Sequence, residues 1–298
     1  MIKKVMVLLF VLVCTNGYSQ FNIPNFGWHM GGGTAVFLVG HNNKLYHTSG
    51  DGWYAFTNGY PNIQWCKTIP QSSLSLDKNG FLRFQDEYQT GDDADYLILS
   101  PKYFIVFQGS WLLEWEETYT KQGNLKFDNL FIKSIKANDY LIENGIHYSP
   151  QGFLKRFRED GMIYHNRTLP FAIGTSKIKD LTIDIEFETE AMGMLLLNGF
   201  IDIRRPHLYK DNARIKEFTI IIDGEEKRYT LADEIRFQEI TFAKPAKKIV
   251  MKIASYYQGA KYQDICLSSI CPVFNSNSKE YTSLNRNNSY STWGSRIK

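Results

Sequence analysis

Hydrophobic and polar positions alternate most cleanly in the second half of the chain. Leu181, Ile183, Ile185 and Phe187 are separated by Thr182, Asp184 and Glu186, the two-residue period of a strand with one buried face. Phe218 to Ile222, then Asp223-Gly224, then Arg228 to Leu231 predict two strands joined by a tight turn, because Asp-Gly accepts the positive φ angles a hairpin needs. Ile249 to Ile253 and Ile265 to Val273 add further strands. The first half is less regular. Short apolar runs such as Ala35 to Val39 and Leu97 to Leu99 alternate with turn clusters at 48–52, 77–80 and 90–93, the texture of short strands joined by Gly, Asn and Asp turns. No long helical period interrupts the series, so the prediction is an all-β protein whose second half is a β-sandwich.

The texture changes near Lys121 to Asn124, which divides the chain into a β-rich unit over 20–127 and a sandwich over 128–273. Residues 274–298 are rich in Asn, Ser, Arg and Tyr with few aliphatics and read as a poorly ordered polar tail. Residues 1–19 combine Lys3 and Lys4, the apolar run Val5 to Val13, and Gly17-Tyr18-Ser19, the pattern of a signal peptide removed before Gln20. The expectation is an exported protein of the periplasm, cell surface or medium, with no membrane span, since no later run approaches about 20 apolar residues.

Composition supports the β reading: the chain is 43% hydrophobic and 15% aromatic, with 18 Tyr, 20 Phe and 6 Trp, rings that suit pleated sheet faces. Charge excludes one class. The 34 Lys and Arg face 31 Asp and Glu, and loss of Lys3 and Lys4 with the signal leaves 32 against 31. A near-neutral chain lacks the basic stripe that nucleic-acid binding requires. Cys14 leaves with the signal, so Cys66, Cys266 and Cys271 remain. Cys266 and Cys271 are near enough to bridge across a bend, yet on one straight strand they face opposite sides, and buried thiols are the plainer reading.

One run of residues carries more than fold. Asn198-Gly199-Phe200, Arg205-Pro206-His207-Leu208-Tyr209, Asn212 to Lys216, Leu231-Ala232-Asp233, Gln238, Tyr257 to Asp264 and Leu267-Ser268-Ser269 follow one another in order. This run resembles the discoidin-like, NADase-type glycan-binding domain of exported bacterial proteins, a relative of the coagulation-factor type C and galactose-binding jelly rolls. Ile132 to Ala137 and Tyr148 to Pro150 resemble that family's opening strand and first loop, while Pro170 to Gly174 replaces its usual Trp-rich region. The resemblance implies a jelly roll that binds a carbohydrate, without a cofactor.

The candidate contacts lie mostly in an expected loop over 202–216, the most basic stretch of the chain. Arg204, Arg205 and Arg214 offer guanidinium forks to hydroxyls, carboxylates or sulfates, and Asn212 and His207 add polar groups. Tyr209 offers a ring for a sugar face, and Tyr257 and Tyr262 belong to a second loop closing the same end. The competing reading makes these residues caps for buried backbone, with Gly259 supplying a tight turn.

Other constellations are weaker. Trp53-Tyr54 follows a Gly-rich turn where a ring could meet sugar, although a Trp in a small β-unit is usually core. Glu114, Glu116 and Glu117 lack a carboxylate across a cleft, Asp92, Asp93 and Asp95 lack the rest of a calcium loop, and the six His are scattered without zinc spacing. The function expected is non-catalytic carbohydrate recognition. Two alternatives stand beside it: an exported glycan- or NAD-directed hydrolase with the sandwich as targeting module, and a protein–protein adhesion module.

Overall fold

The computed structural model of the chain describes residues 26–28, 37–41, 43–48, 56–57, 60–61, 67–84, 95–99, 105–108, 125–127, 132–151, 169–202, 205–275 and 278–279. The expected signal segment, Trp53-Tyr54, Cys66, Asp92-Asp93, Glu114 to Glu117 and the tail beyond 279 lie outside these residues.

The described residues of the first half form short strands, and the turn cluster at 77–80 joins two of them. β1 (Phe26–Trp28), β2 (Phe37–His41), β3 (Lys44–Thr48), β4 (Phe56–Thr57), β5 (Tyr60–Pro61) and β6 (Lys67–Ile69) come first. A four-stranded sheet runs in the order β1-β2-β3-β6. β7 (Leu74–Leu76), β8 (Leu82–Phe84), β9 (Asp95–Leu99) and β10 (Ile105–Gln108) make a second sheet. The β7–β8 turn is braced by Asp77, whose Oδ1 accepts the Asn79 and Phe81 amides at 2.8 and 2.9 Å, and Gly80 supplies φ +92°.

The second half builds one large sheet that wraps on itself. Its strands are β11 (Leu125–Phe127), β12 (Ile132–Ala137), β15 (Phe171–Gly174), β16 (Ile183–Asn198), β17 (Ala213–Ile222), β18 (Glu225–Thr230), β19 (Phe237–Tyr257) and β20 (Asp264–Asn275). A small hairpin, β13 (Ile142–Glu143) and β14 (Ile146–His147), lies between β12 and β15. The order is β11-β20-β16-β19-β17-β18, with β12 on β16 and β15 on β20. Parallel pairing of Ala213 and Arg214 with Ile265 and Cys266 joins β17 to β20 and closes the sandwich. The β17–β18 hairpin turns at Asp223 (φ 52°) and Gly224 (φ 84°), as the Asp-Gly dipeptide predicts.

The interior follows from strand period. Ile183, Ile185 and Phe187 point inward with Phe171, Phe218 and Phe274, while Asp184 and Glu188 face water. Each fully covered ring or aliphatic side chain contributes about 1.5–3 kcal/mol by leaving water. The pairing of β16 shifts between Glu186 and Ala191 and again before Gly193, so Met194 and Leu196 continue the inner face and Leu195 and Leu197 emerge on the outer one. That outer face is also buried.

Two boundaries differ from the sequence reading. The expected loop over 202–216 ends at Asn212, because Leu208–Asp211 forms a helical turn, α1, and β17 begins at Ala213; Arg214 and Lys216 are strand residues. β20 runs to Asn275 through its pairing with β11. Cys266 and Cys271 are both buried thiols on β20, one beside Phe200 and Leu208 and the other on the outer face; both point away from the main core that holds Ile265, Leu267 and Ile270, because the β16–β20 register shifts between Leu197 and Asn198 and cancels the opposite-face geometry expected of a straight strand.

Candidate functional site

One end of the sandwich gathers the loops that carry the sequence run. Its centre is Arg214, exposed by only 4%. The guanidinium meets Asp233 at two points, Nε to Oδ1 and Nη2 to Oδ2, each 2.8 Å. Nη1 donates to the carbonyl of Asn212 at 2.7 Å and to those of Tyr209 and Gln258 at 3.3 and 3.4 Å. Tyr209 is buried beneath the same fork and donates its hydroxyl to Asp233 Oδ1 at 2.8 Å. Burial opposes the charge on Asp233, yet Arg214 and the Tyr209 hydroxyl hold its carboxyl below the ordinary range. The Tyr209 hydroxyl is driven far above its ordinary range, first by burial and then by the carboxylate.

Around this centre the other motif residues act as latches. Asn198 exchanges two hydrogen bonds with the backbone of Ile215 at 2.7 and 3.0 Å. Gln238 does the same with Ala232, at 2.7 and 2.9 Å. Tyr257 donates to the Leu231 carbonyl at 2.9 Å, and Asn212 donates to that of Leu208 at 2.9 Å. Ser268 Oγ joins the Gly199 carbonyl to the Ile201 amide. A Cβ on Gly199 (φ +87°) would lie 2.7 Å from the Tyr209 ring, and one on Gly259 would lie 2.5 Å from the carbonyls of Asp211 and Tyr262. Gly259 is therefore a site of close backbone approach rather than of unusual φ.

Burial corrects three of the candidate contacts. Tyr209, Asn212 and Arg214 are exposed by 1%, 5% and 4%, so no face of Tyr209 is open to a sugar ring, and the Arg214 fork is committed within the protein. Arg214 and Asn212 donate to backbone carbonyls, as the capping reading expects, whereas the Tyr209 hydroxyl is committed to the Asp233 side chain. Tyr257 is half-buried with its hydroxyl bonded inward. Arg204 lies outside the described residues.

Arg205, His207 and Tyr262 stand at the surface. Arg205 directs Nε and Nη2 to Asp202 Oδ2, both at 2.8 Å, and lies 5.6 Å from the Phe200 ring, with over half of its side chain in solvent. Tyr262 carries the Lys261 ammonium 4.8 Å from its ring centre.

The β13–β14 hairpin completes this end, and the sequence reading missed it. Asn144 (φ 51°) and Gly145 (φ 78°) form its turn, a hairpin signal that Asn-Gly flanked by Ile142-Glu143 and Ile146-His147 already carried. Its base is tied to β15 by Leu141 and Tyr148 bonding to the backbone of Ala172. Tyr148 packs against the cluster of Phe200, Leu208 and Cys266, where burial, then Glu143, raises its hydroxyl pKa, with Arg205 opposing. Burial, then Glu143, raises Asp264 too. Tyr148 thus lies within electrostatic range of Glu143, Arg205 and Asp264. Chemically this set offers donors, acceptors and an aromatic edge, the groups that hydroxyl-rich ligands use. Among the described residues no group of three or more His, Cys, Asp or Glu could hold a metal ion, and no helix is long and apolar enough to cross a membrane.

The fold and this end define a discoidin-like jelly roll. Residues 177–273 match the family described as the NAD glycohydrolase translocation F5/8 type C domain, so this segment of the chain is of that type. Among solved structures, a family 32 carbohydrate-binding module from C. perfringens NanJ, in complex with galactose, is 12% identical over 47% of this chain and 93% of its own, with a TM-score of 0.30. Two family 32 modules of Clostridium perfringens ZmpB, in complex with GalNAc, match at 14% identity over 50% of this chain and 36% of theirs, TM-score 0.34; this chain spans about a third of that structure. An F5/8 type C domain from Bacteroides fragilis is 8% identical over 51% of this chain and 98% of its own, TM-score 0.34. No curated protein matches the chain.

Proposed function

We propose that the protein is an exported, non-catalytic carbohydrate-binding protein whose C-terminal sandwich, bounded by β11 and β20, recognises a glycan at the end formed by the β13–β14 hairpin, the 199–207 loop and the 258–264 loop. The observation that carries this reading is the match of residues 177–273 to an F5/8 type C domain together with the exposed polar set at that end. Arg205, His207 and Tyr262, with Tyr148 and Asp264 beside them, make the contacts. Tyr209, Asn212, Arg214 and Asp233 hold the loops that present them. Recognition is shallow, so affinity per site is weak, and specificity comes from donors and acceptors placed on rigid loops.

A glycan array with the purified chain tests this, run beside Arg205→Ala/His207→Ala. Binding by the intact protein that drops at least about tenfold in a folded double variant supports the reading, since an exposed hydrogen-bonding fork contributes on the order of 1.5–3 kcal/mol. A folded protein that binds no glycan on a broad array overturns it.

The family description, which names NAD glycohydrolase translocation, favours a second reading in which the sandwich is the targeting module of an NAD- or glycan-directed enzyme. Turnover of NAD or polysaccharide by the intact chain, abolished by one carboxylate or His substitution in the N-terminal half, would establish it.

A further inference from the structure

The outer face of the discoidin-like sheet is apolar in a way that a free-standing sandwich would not tolerate. Leu197 pairs with Phe237, Leu195 with Cys271, and Gly193 with Val273, so Phe237, Leu197, Leu195, Cys271 and Val273 form one contiguous patch across three strands. Farther along β16 the solvent side carries Asp184 and Glu188 instead. The change occurs where the pairing register shifts, and it converts an alternating strand into one buried on both faces, the continuous apolar run Met194 to Leu197. Left uncovered, a patch of this kind would be an interaction surface.

Its occupant comes from the same chain. Phe81, fully buried at the end of the β7–β8 turn, and Ile98 of β9 belong to the cluster that contains the patch, together with Ile235 and Tyr209. Gly80 brings the turn close enough that a Cβ there would sit 3.9 Å from both Ile235 Cδ1 and Lys210 Cε. The turn itself is pre-formed by the Asp77 carboxylate, so little further ordering is needed to seat Phe81. On the far side, β11 adds to the sheet edge along β20, tethering the chain at a second place.

We infer that β7 to β9, over the described residues 74–84 and 95–99, are the built-in cover of the discoidin-like domain: Phe81 and Ile98 dock on the Leu195, Leu197 and Phe237 face, so this part of the N-terminal unit is fixed beside the 205–212 segment instead of swinging on a linker. The sandwich is then not a detachable module. This inference stands on the apolar contact alone and does not depend on what the loop end binds.

Cys271 lies within the covered face and Cys266 lies in the separate cluster with Phe200 and Leu208, which gives the full chain its own reporters. Iodoacetamide labelling under native conditions, read by peptide mass spectrometry, should leave both thiols protected in the parent chain. Phe81→Ala should accelerate labelling of Cys271 by at least about tenfold while Cys266 stays protected, the mark of local opening rather than global unfolding. Rapid labelling of Cys271 in the parent protein, or no change in Phe81→Ala, overturns the inference. Where Phe81→Ala exposes both thiols equally, Phe81→Leu decides, because it keeps most of the anchor: faster labelling confined to Cys271 supports docking, and equal or unchanged labelling overturns it.

Discussion

Arg214 and Asp233 are joined by two parallel hydrogen bonds of 2.8 Å, and this pair ties the start of β17 to the loop after β18 at the end of the sandwich where the candidate contacts stand. Its remaining donors reach the carbonyls of Asn212, Tyr209 and Gln258. One side chain therefore holds three chain segments, and its loss leaves a half-buried carboxylate with only the Tyr209 hydroxyl and several carbonyls without their donor.

Arg214→Ala should destabilise the chain by about 3 kcal/mol, the lower end for breaking a buried pair, because Asp233 retains partial access to water. A urea unfolding curve measures this. A loss under about 1 kcal/mol would show that water replaces the guanidinium without strain.

Arg205→Ala is expected to behave in the opposite way. Its partner Asp202 is three residues away and its guanidinium is largely in solvent, so stability should change by less than about 0.5 kcal/mol. Glycan binding should fall while the unfolding curve stays in place. A matched loss of both would make Arg205 a structural residue.

Gly259→Ala places a methyl group 2.5 Å from two backbone carbonyls. Neither carbonyl is the far end of a flexible side chain, so the 258–262 loop must move, at a cost of about 2–3 kcal/mol. Thermal unfolding should show a clear fall, and an unchanged midpoint would mean that the loop shifts freely.

Stability should fall at both extremes of pH. The Asp233 carboxyl is held below its ordinary value of 3.8, so its ionised form adds stability that is present above that value and is lost as pH falls through the folded-state pKa. Tyr209 is shifted upward from 10.0, so its contribution is complete below that value and is lost as pH rises beyond it. Asp233→Asn should flatten the acid limb and Tyr209→Phe the alkaline one, in denaturant midpoints measured across pH. Limbs unchanged in both variants would assign the dependence to other groups.

Most of the fold could be read from residue order. The alternation from Leu181 to Phe187 marks β16, and Asp223-Gly224 marks the β17–β18 turn, because strand period and positive φ are local properties. The run from Asn198 to Ser269 pointed to the discoidin-like domain, matched over 177–273. The Asn144-Gly145 turn was equally legible and was passed over. What residue order cannot supply is partnership. Arg205 and Arg214 look alike in a basic stretch, yet one lies over half in solvent and the other is 4% exposed, because strand β17 begins at Ala213 and carries Arg214 under the helical turn. Likewise, Tyr209 reads as a ring for sugar until the approach of Asp233, 24 residues away, shows that its hydroxyl serves the interior. The residue types in the motif are determined by sequence; which of them face the interior and which face solvent is decided only when distant strands close the sandwich, since burial and pairing are properties of the assembled sheet.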